Sequence, residues 1–328
     1  MALITNTMTR YDMTRAVRED LSSMIYNIAP VETPGMSNFG RDSAKQTLFE
    51  WQTDGLAAAS NTPVIEGDDI VGTTDVRAPT NRVNNYTQIN RKIVTASGTL
   101  EAVDKAGMKS YLAYELSKAS AEMKRDMETA VMGAQVGAAG SNSVARKTAG
   151  LGAWTITNYS AGAGTGAAPI MSSPPGNGTP VTAAVAGTPR AFTEALLKTS
   201  MQAVWTQGGD PKVMFTNATQ KVAFSAFAGI ATRFRDVPAG QQAQIIGASD
   251  TYVGDFSGNG GMSVVLDRFM PLGNVYIGDP EYVSLAYLRP MSTEVMAKTS
   301  DGQKRMIICE WGLRMKSQYS WAAIADLT

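Results

Sequence analysis

Apolar side chains recur at two different spacings along the chain, and the helical spacing is clearest in residues 99–135. There they repeat at steps of three and four, which places them on one face of a helix. The members of this stripe are Leu112, Leu116, Ala119, Met123, Met127, Ala130 and Ala134. Ser97 or Thr99 is suited to cap the first turn, and Gly107 is the position at which the first turns can break away. The pattern predicts a helix of about 50 Å at about 1.5 Å per residue, long enough to act as a spine.

Alternation with a period of two predicts two long strands. In residues 83–96 the side chains of Val83, Thr87, Ile89 and Ile93 share one face, and the other face is polar. A ribbon with so few apolar pairs needs another surface to lie on. In residues 307–316 one face is strongly apolar and the other polar. The inward set is Ile307, Cys309, Trp311, Leu313 and Met315, and the outward set is Glu310, Gly312, Arg314 and Lys316. Cys309 is therefore predicted to be a small buried hydrophobic residue rather than a nucleophile.

The remaining elements are shorter. Helices are predicted in residues 14–28, 191–209 and 218–230, and strands in residues 212–217, 262–267, 274–279 and 282–288. Residues 137–189 are rich in glycine, alanine, serine and proline, and the second half of this stretch is predicted to be an irregular surface loop.

The composition excludes several classes of active site. The chain of 328 residues has no histidine and a single cysteine. Serine or cysteine nucleophiles with a histidine base, zinc helices of the HExxH type and intramolecular disulfides are therefore excluded. Lysine plus arginine and aspartate plus glutamate both number 29, so no net charge attracts nucleic acid or a membrane. The N-terminal residues lack a signal-peptide pattern and no apolar run approaches the roughly 20 residues of a membrane span, which predicts a cytoplasmic origin.

An acidic segment, EWQTDGLAAASNTPVIEGDDI, occupies residues 50–70 and has almost no large apolar side chains. Glu66, Asp68 and Asp69 offer oxygen ligands of the kind that Ca²⁺ or Mg²⁺ prefers, but their spacing fits no EF-hand, and acids around a glycine are ordinary turn chemistry. A solvated loop tip is the simpler interpretation. Trp51 and Leu56 would form a poor core alone and are suited to anchor in a groove of another subunit.

Longer stretches of sequence resemble a known family. They include REDLSSMIYNIAPVETP, FEWQTDGLAAA, NYTQINRKIVTASGTLEAVDKAG, ARKTAGL, WTQGGDPKVMFTN and YVSLAYLRPMSTEVMAKTSDGQKR. Their order and wording are similar to the major capsid proteins of tailed bacteriophages, the Caudoviricetes, whose HK97-like fold is also used by encapsulin shells. Together they span nearly the whole chain.

The resemblance implies an α+β fold of the HK97-like capsid type, with five parts. These are an N-terminal arm at 1–45, an extended β-ribbon loop at 46–96, the spine helix of the peripheral domain plus a Gly-rich insert at 97–189, an axial domain at 190–270, and C-terminal strands at 271–328 that return to the peripheral domain. The acidic segment is then the outbound strand and tip of the extended loop, which would lie over a neighbouring subunit.

The resemblance also implies a function. The chain would be a structural virion protein that self-assembles into hexamers and pentamers of an icosahedral head enclosing double-stranded DNA. The residues expected at contacts between subunits are Trp51, Asp54, Leu56, Glu66, Asp68, Asp69, Arg82, Tyr86 and Arg91. No catalytic residue, metal ligand or cofactor is expected. The expected partners are sister copies and scaffolding, portal and decoration proteins, with DNA held by confinement, no membrane, and assembly in the host cytoplasm.

Two departures from other capsid proteins of this fold follow from the sequence. Some of those proteins join a lysine of the extended loop to an asparagine of the next subunit by an isopeptide bond. Residues 46–91 contain no lysine, so a shell of this chain is expected to be held non-covalently or by decoration proteins. The family-like wording begins within the first 20 residues, so any scaffold is expected to be a separate protein or to have been removed already.

Three alternatives remain open at this level. The first is an encapsulin-like nanocompartment with a protein cargo. The second is an enzyme that uses a divalent metal on Glu66, Asp68 and Asp69. The third is a different virion component, such as a tail or decoration protein.

Overall fold

A computed structural model describes residues 29–59, 61, 63, 65–67, 79–173, 176–227, 250–256, 261–298 and 300–328. The helices of this part are α1 (Pro34–Asn38), α2 (Gly98–Ala102), α3 (Tyr111–Met132), α4 (Leu151–Trp154), α5 (Glu194–Thr206) and α6 (Ala218–Ser225). The first seven strands are β1 (Gly40–Ser43), β2 (Leu48–Thr53), β3 (Asn81–Tyr86), β4 (Gln88–Ser97), β5 (Tyr159–Ser160), β6 (Ile170–Ser173) and β7 (Asn177–Thr182). The others are β8 (Val213–Thr216), β9 (Thr251–Tyr252), β10 (Met262–Leu266), β11 (Val275–Gly278), β12 (Val283–Val295), β13 (Gly302–Met315) and β14 (Trp321–Ile324). The helix predicted at residues 14–28 lies outside the described residues.

The predicted spine helix is divided into α2 and α3. Ser97 caps α2 by accepting the N–H of Leu100, and Ser110 caps α3 by accepting the N–H of Ala113. Between the two helices Gly107 adopts φ +80°, a left-handed conformation that suits glycine. The continuous helix over 99–135 is therefore wrong in its first part, while the stripe from Leu112 onward is confirmed as the buried face of α3.

A four-stranded sheet in the order β1-β12-β13-β4 supports α3. The apolar face of β13 is buried as predicted, and Cys309, Trp311 and Leu313 have no exposed surface. The expectation that Glu310 and Gly312 face solvent is wrong, because β13 is an interior strand covered on both faces. The ring of Phe49 lies so close to Gly312 that an added Cβ would be 2.5 Å from it.

A six-stranded sheet in the order β5-β14-β11-β8-β10-β9 forms the second half of the described structure. The apolar face of α5 packs on it through Leu197, Met201 and Val204. Strands β11 and β14, from the C-terminal part of the chain, pair with β8 or with each other in this sheet rather than with β12 and β13. Two 3₁₀ turns, at Pro280–Tyr282 and Gln318–Ser320, connect strands of this sheet to strands of the four-stranded sheet.

A third sheet, in the order β2-β3-β7-β6, forms the base of the ribbon. The single strand predicted over residues 83–96 is wrong, because the chain changes sheet at Thr87: β3 pairs with β2, and β4 pairs with β13. The buried side chains also change from odd-numbered to even-numbered positions after Thr87. Val83, Asn85 and Thr87 are buried before it, and Val94 and Ala96 after it.

The Gly-rich insert also contains regular structure. Strands β6 and β7 pair with each other, and β7 meets β3 in parallel where Gly178 lies beside Val83. Met171 is buried in the main core. The expectation of an irregular surface loop is therefore wrong for these strands. They form a hairpin paired with the ribbon base, which the glycine-rich composition did not indicate.

Candidate functional site

The ribbon projects beyond the point at which Thr53 of β2 pairs with Asn81 of β3. We call residues 54–80 between these strands the tip. Its described residues belong to no helix or strand. Leu56 is fully exposed and Ile65 is 82% exposed. Two large aliphatic side chains of the tip are thus in solvent, and Leu56 has the largest exposed fraction of the large apolar residues in the described structure. Such exposure suits a surface that another molecule covers.

The predicted contact residues lie at three levels of the ribbon. Asp54, Leu56 and Glu66 are exposed in the tip, whereas Asp68 and Asp69 lie outside the described residues. Arg82, on β3, is exposed and forms an ion pair with Glu50 of β2. Tyr86 is half-buried at the end of β3, and Arg91 is exposed on β4. The described members of this set therefore lie along the ribbon and β4 rather than in one pocket.

Trp51 does not need another subunit for a packing surface. Its ring stacks on Phe49 at 5.8 Å between centroids and contacts Trp154 at 5.7 Å, and the guanidinium of Arg314 lies 5.9 Å from it. The prediction that Trp51 lacks a core within its own chain is wrong. Aromatic packing of this kind anchors the ribbon base to the body, whereas the described apolar side chains of the tip, Leu56 and Ile65, are exposed.

Asn85 joins the ribbon to β13. Its side-chain amide donates to the carbonyl of Leu313 at 2.6 Å, and its Oδ1 accepts the N–H of Ala149 at 2.9 Å. Thr148 also contacts this amide, with 3.1 Å between Nδ2 and its hydroxyl. Alternation along the predicted strand does not single out Asn85, which only interrupts the face of Val83 and Thr87. A buried asparagine at such a position is a signal that backbone groups nearby need partners.

Glu310 binds three side chains from three segments of the chain. Its carboxylate accepts the Thr87 hydroxyl at 2.9 Å, the guanidinium of Arg146 at 2.6 Å and that of Arg289 at 2.9 Å. Glu310 is buried, and burial of a carboxylate is tolerated only with such partners. This cluster fixes the point at which the ribbon strand passes from one sheet to the other. Simple alternation along β13 missed it.

Two further buried carboxyl groups, Glu128 of α3 and Asp267 after β10, contact each other. Glu128 accepts the backbone N–H of Gly35 at 2.5 Å and that of Met36 at 2.9 Å. Burial, together with the nearby Asp267 carboxylate, raises the pKa of Glu128 to about 7. Burial also raises the pKa of Asp267. The pair connects α1, α3 and the six-stranded sheet.

Cys309 is a small buried residue, as the alternation along β13 predicts. Burial raises the pKa of the Cys309 thiol to about 11, so it is not a thiolate at neutral pH, in agreement with its predicted role as a small buried residue. In the described ranges no three His, Cys, Asp or Glu side chains converge as ligands of a metal would. No helix within those ranges combines the length and apolar character that a membrane crossing requires.

A comparison with protein families decides the identity of the chain. The model of the SU10 major capsid protein family matches residues 3–328. The chain belongs to this family. A curated relative, the major capsid protein of Escherichia phage Phieco32, is 37% identical over 109 residues, which is 33% of this chain and 30% of that protein. The match thus spans less than a third of this relative.

Solved structures extend the likeness to the whole fold. The capsid asymmetric unit of cyanophage A-1(L) has a TM-score of 0.68 at 16% identity, over 98% of this chain and 100% of that chain. Mycobacterium phage Bobi gives a TM-score of 0.62 at 9% identity, over 98% and 99%. The capsid of a native GTA particle gives 0.58 at 13% identity, over 97% and 98%.

These findings confirm the α+β, HK97-like fold and the expected class of protein. The chain is a structural capsid protein of a phage, and a virion is its place of action. The encapsulin-like alternative is not favoured, because the family and the relatives named here are phage capsid proteins. The tail and decoration alternatives are not favoured for the same reason.

Proposed function

We propose that this capsid protein self-assembles into hexamers and pentamers, and that these close into an icosahedral head around double-stranded DNA. Family membership supports the shell-forming part of the proposal. The observation that carries it lies at the tip of the ribbon, where Leu56 is fully exposed just past the Thr53–Asn81 pair. A large aliphatic side chain exposed at this point is suited to bind a neighbouring copy.

The five parts predicted from the sequence remain our proposal for how the chain is organised. Residues 1–45 act as an arm and 46–96 as the extended loop, while 97–189 and 190–270 contribute the spine with the insert and the axial domain. Strands β12 and β13, from 271–328, complete the sheet beneath α3. Strands β11 and β14 of the same part lie in the sheet of β8, so the C-terminal segment supports both domains.

We place the contacts between copies on both the tip and the ribbon strands. The proposed contact residues are Trp51, Asp54, Leu56, Glu66, Asp68, Asp69, Arg82, Tyr86 and Arg91. Trp51 contributes indirectly, because its ring is engaged by Phe49 and Trp154 and so fixes the direction of the ribbon. Arg91 lies on an exposed position of β4, which is the last strand of its sheet and presents an unpaired edge within the described structure.

The proposed shell is non-covalent, with neither enzymatic activity nor a cofactor. The tip and ribbon contain no lysine between residues 46 and 91, so a loop-borne isopeptide bond has no nucleophile there. Zero net charge fits subunits that pack closely and DNA that is confined rather than bound in a specific sequence. Scaffolding, portal and decoration proteins complete the assembly, which takes place in the host cytoplasm.

The purified full-length chain tests this proposal. Analytical ultracentrifugation and negative-stain electron microscopy, over a range of protein concentration, salt and added scaffolding protein, are expected to show capsomers or closed shells. A chain that stays monomeric under all of these conditions contradicts the proposal.

A further inference from the structure

A cleft of about 410 Å³ opens at the base of the ribbon, between β2, β3, the insert and the turn after β13. Its floor is apolar and includes Val83, Trp154, Met171 and Met315. Its walls carry neutral amides and hydroxyls: Gln52, Thr53, Asn81, Ser317 and Gln318. Tyr282 and Tyr319 stand at the rim and are both partly exposed.

Two polar groups at this cleft lack partners. The indole N–H of Trp154 is buried and has no hydrogen-bond acceptor among the described residues. Trp154 as a whole has only 1% of its surface exposed. The side-chain oxygen of Gln318 is buried and receives no donor from those residues. Buried donors and acceptors are nearly always satisfied in native proteins. Both residues line the cleft, so a small shift of either side chain would offer a donor or an acceptor to a peptide backbone seated there.

Charge selects a neutral occupant. Asp54 and Lys316 are the charged residues of the lining, and their charges cancel. An anion, a cation or a charged side chain would therefore gain little from this cleft over its hydration in water. An uncharged extended segment with a medium-sized apolar side chain fits both the floor and the walls.

The tip supplies such a segment. Residues 56–59 read Leu-Ala-Ala-Ala, carry no charge and belong to no helix or strand. Gly55 lines the cleft, yet its neighbour Leu56 is fully exposed, so Leu56 does not occupy the cleft of its own copy. We infer that the cleft of one copy receives residues 56–59 from the tip of a second copy, with Leu56 seated on the floor beside Trp154 and Met171.

Such an exchange joins different surfaces of the two partners, so each copy both donates a tip and receives one. Contacts of this head-to-tail kind close into rings when the rotation between copies allows it. The inference rests on the proposed assembly into hexamers and pentamers and names the receiving surface within it.

Cross-linking of two single-cysteine variants tests the inference. Leu56→Cys places a thiol on the donated segment, and Ser317→Cys places one on the cleft wall with almost no change of side-chain size. Cys309 is buried and gives little background. The two variants are mixed, assembled and treated with a short bis-maleimide. Because neither chain carries both engineered thiols, a covalent dimer between them joins two copies.

The expected result is a cross-linked dimer in shells of the mixture, in about tenfold excess over shells of either variant alone, because each single variant lacks one of the two thiols that assembly brings together. Ala57→Cys, a small exposed neighbour, is a second donor position and is expected to behave alike. Val222→Cys on α6, 71% exposed, is the matched control and is expected to give no excess.

The possible failures are distinguishable. Shells that form normally with neither donor position cross-linked to Ser317→Cys overturn the cleft as the receiving surface, and leave the proposed function standing. An unmodified chain that forms no shells or capsomers overturns the proposed function, and the tip exchange with it.

Discussion

The carboxyl groups of Glu128 and Asp267 face each other in the protein interior, with no cation beside them among the described residues. Asp267 Oδ2 receives no N–H or O–H donor from the rest of that structure. A proton held on Glu128 fills this position, and it also allows two buried acids to coexist. The pair is thus a proton-dependent connection between α1, α3 and the six-stranded sheet.

The first prediction concerns pH. Between pH 4.5, the ordinary pKa of a glutamate, and about 7, native Glu128 keeps a proton that the unfolded chain has lost. The native state binds more protons in this window, so the free energy of unfolding falls as pH rises, by up to about 1.4 kcal/mol per pH unit. Urea unfolding at several pH values measures this slope.

Glu128→Gln is expected to remove most of that pH dependence, since its side chain cannot ionise. Glu122→Gln, on an exposed face of the same helix where Glu122 lies 3.6 Å from Lys92, is the control and is expected to leave the slope unchanged. An equal slope in the Glu128→Gln variant and the unmodified chain contradicts the role assigned to the pair.

A second prediction concerns the contact of α1 with α3. A Cβ added to Gly35 would lie 2.8 Å from the Glu128 carboxylate and 2.9 Å from the sulfur of Met132. Gly35→Ala is therefore expected to lower the free energy of unfolding by about 2 kcal/mol through overpacking. At Gly40 the nearest atom is 3.5 Å away, so Gly40→Ala is expected to change it by less than about 1 kcal/mol. Equal effects at the two glycines contradict the close approach.

A third prediction concerns the Glu310 cluster. Glu310→Gln leaves Arg146 and Arg289 without their buried carboxylate and is expected to lower the free energy of unfolding by about 3 kcal/mol. Glu50→Gln breaks only the exposed pair with Arg82 and is expected to cost less than about 1 kcal/mol. Denaturant titrations of both variants measure the difference. A loss at Glu310 no greater than at Glu50 shows that the cluster does not stabilise the ribbon base.

A fourth prediction compares two neighbouring asparagines. Asn85→Leu leaves the buried carbonyl of Leu313 and the N–H of Ala149 without their partner, at a cost of about 2 kcal/mol. The Oδ1 of Asn84 has no hydrogen-bond partner in the described structure, so Asn84→Leu is expected to be close to neutral. A neutral Asn85→Leu variant would mean that water or another group replaces these bonds.

The sequence could predict those elements in which one face alone is buried. The stripe from Leu112 to Ala130 on α3 follows from spacing, because α3 buries one face. On β13 the alternation identified the apolar side, but it did not show that the other face is covered as well. The fold class and the function were predicted from the resemblance of longer stretches of sequence to a known family, and not from periodicity.

Positions with long-range partners could not be read from local patterns. Thr87 marks a change of sheet because its hydroxyl meets Glu310, 223 residues away. The position of Glu128 on the buried face of α3 is fixed by Gly35 and Met36, 93 and 92 residues before it. At Trp51 the aromatic partner Trp154 lies far along the chain, so the ring seemed to lack a core of its own.

The most direct test of the central claim replaces residues 57–80 by a short Gly-Ser link. Thr53 and Asn81 are paired, so a short link closes the shortened ribbon without disturbing β2 or β3. Electron micrographs of this variant and of the full-length chain, prepared in parallel under assembly conditions, are compared after circular dichroism has shown both to be folded. We predict closed shells for the full-length chain and none for the shortened one. Closed shells from the shortened chain would show that the tip is not what holds neighbouring copies together.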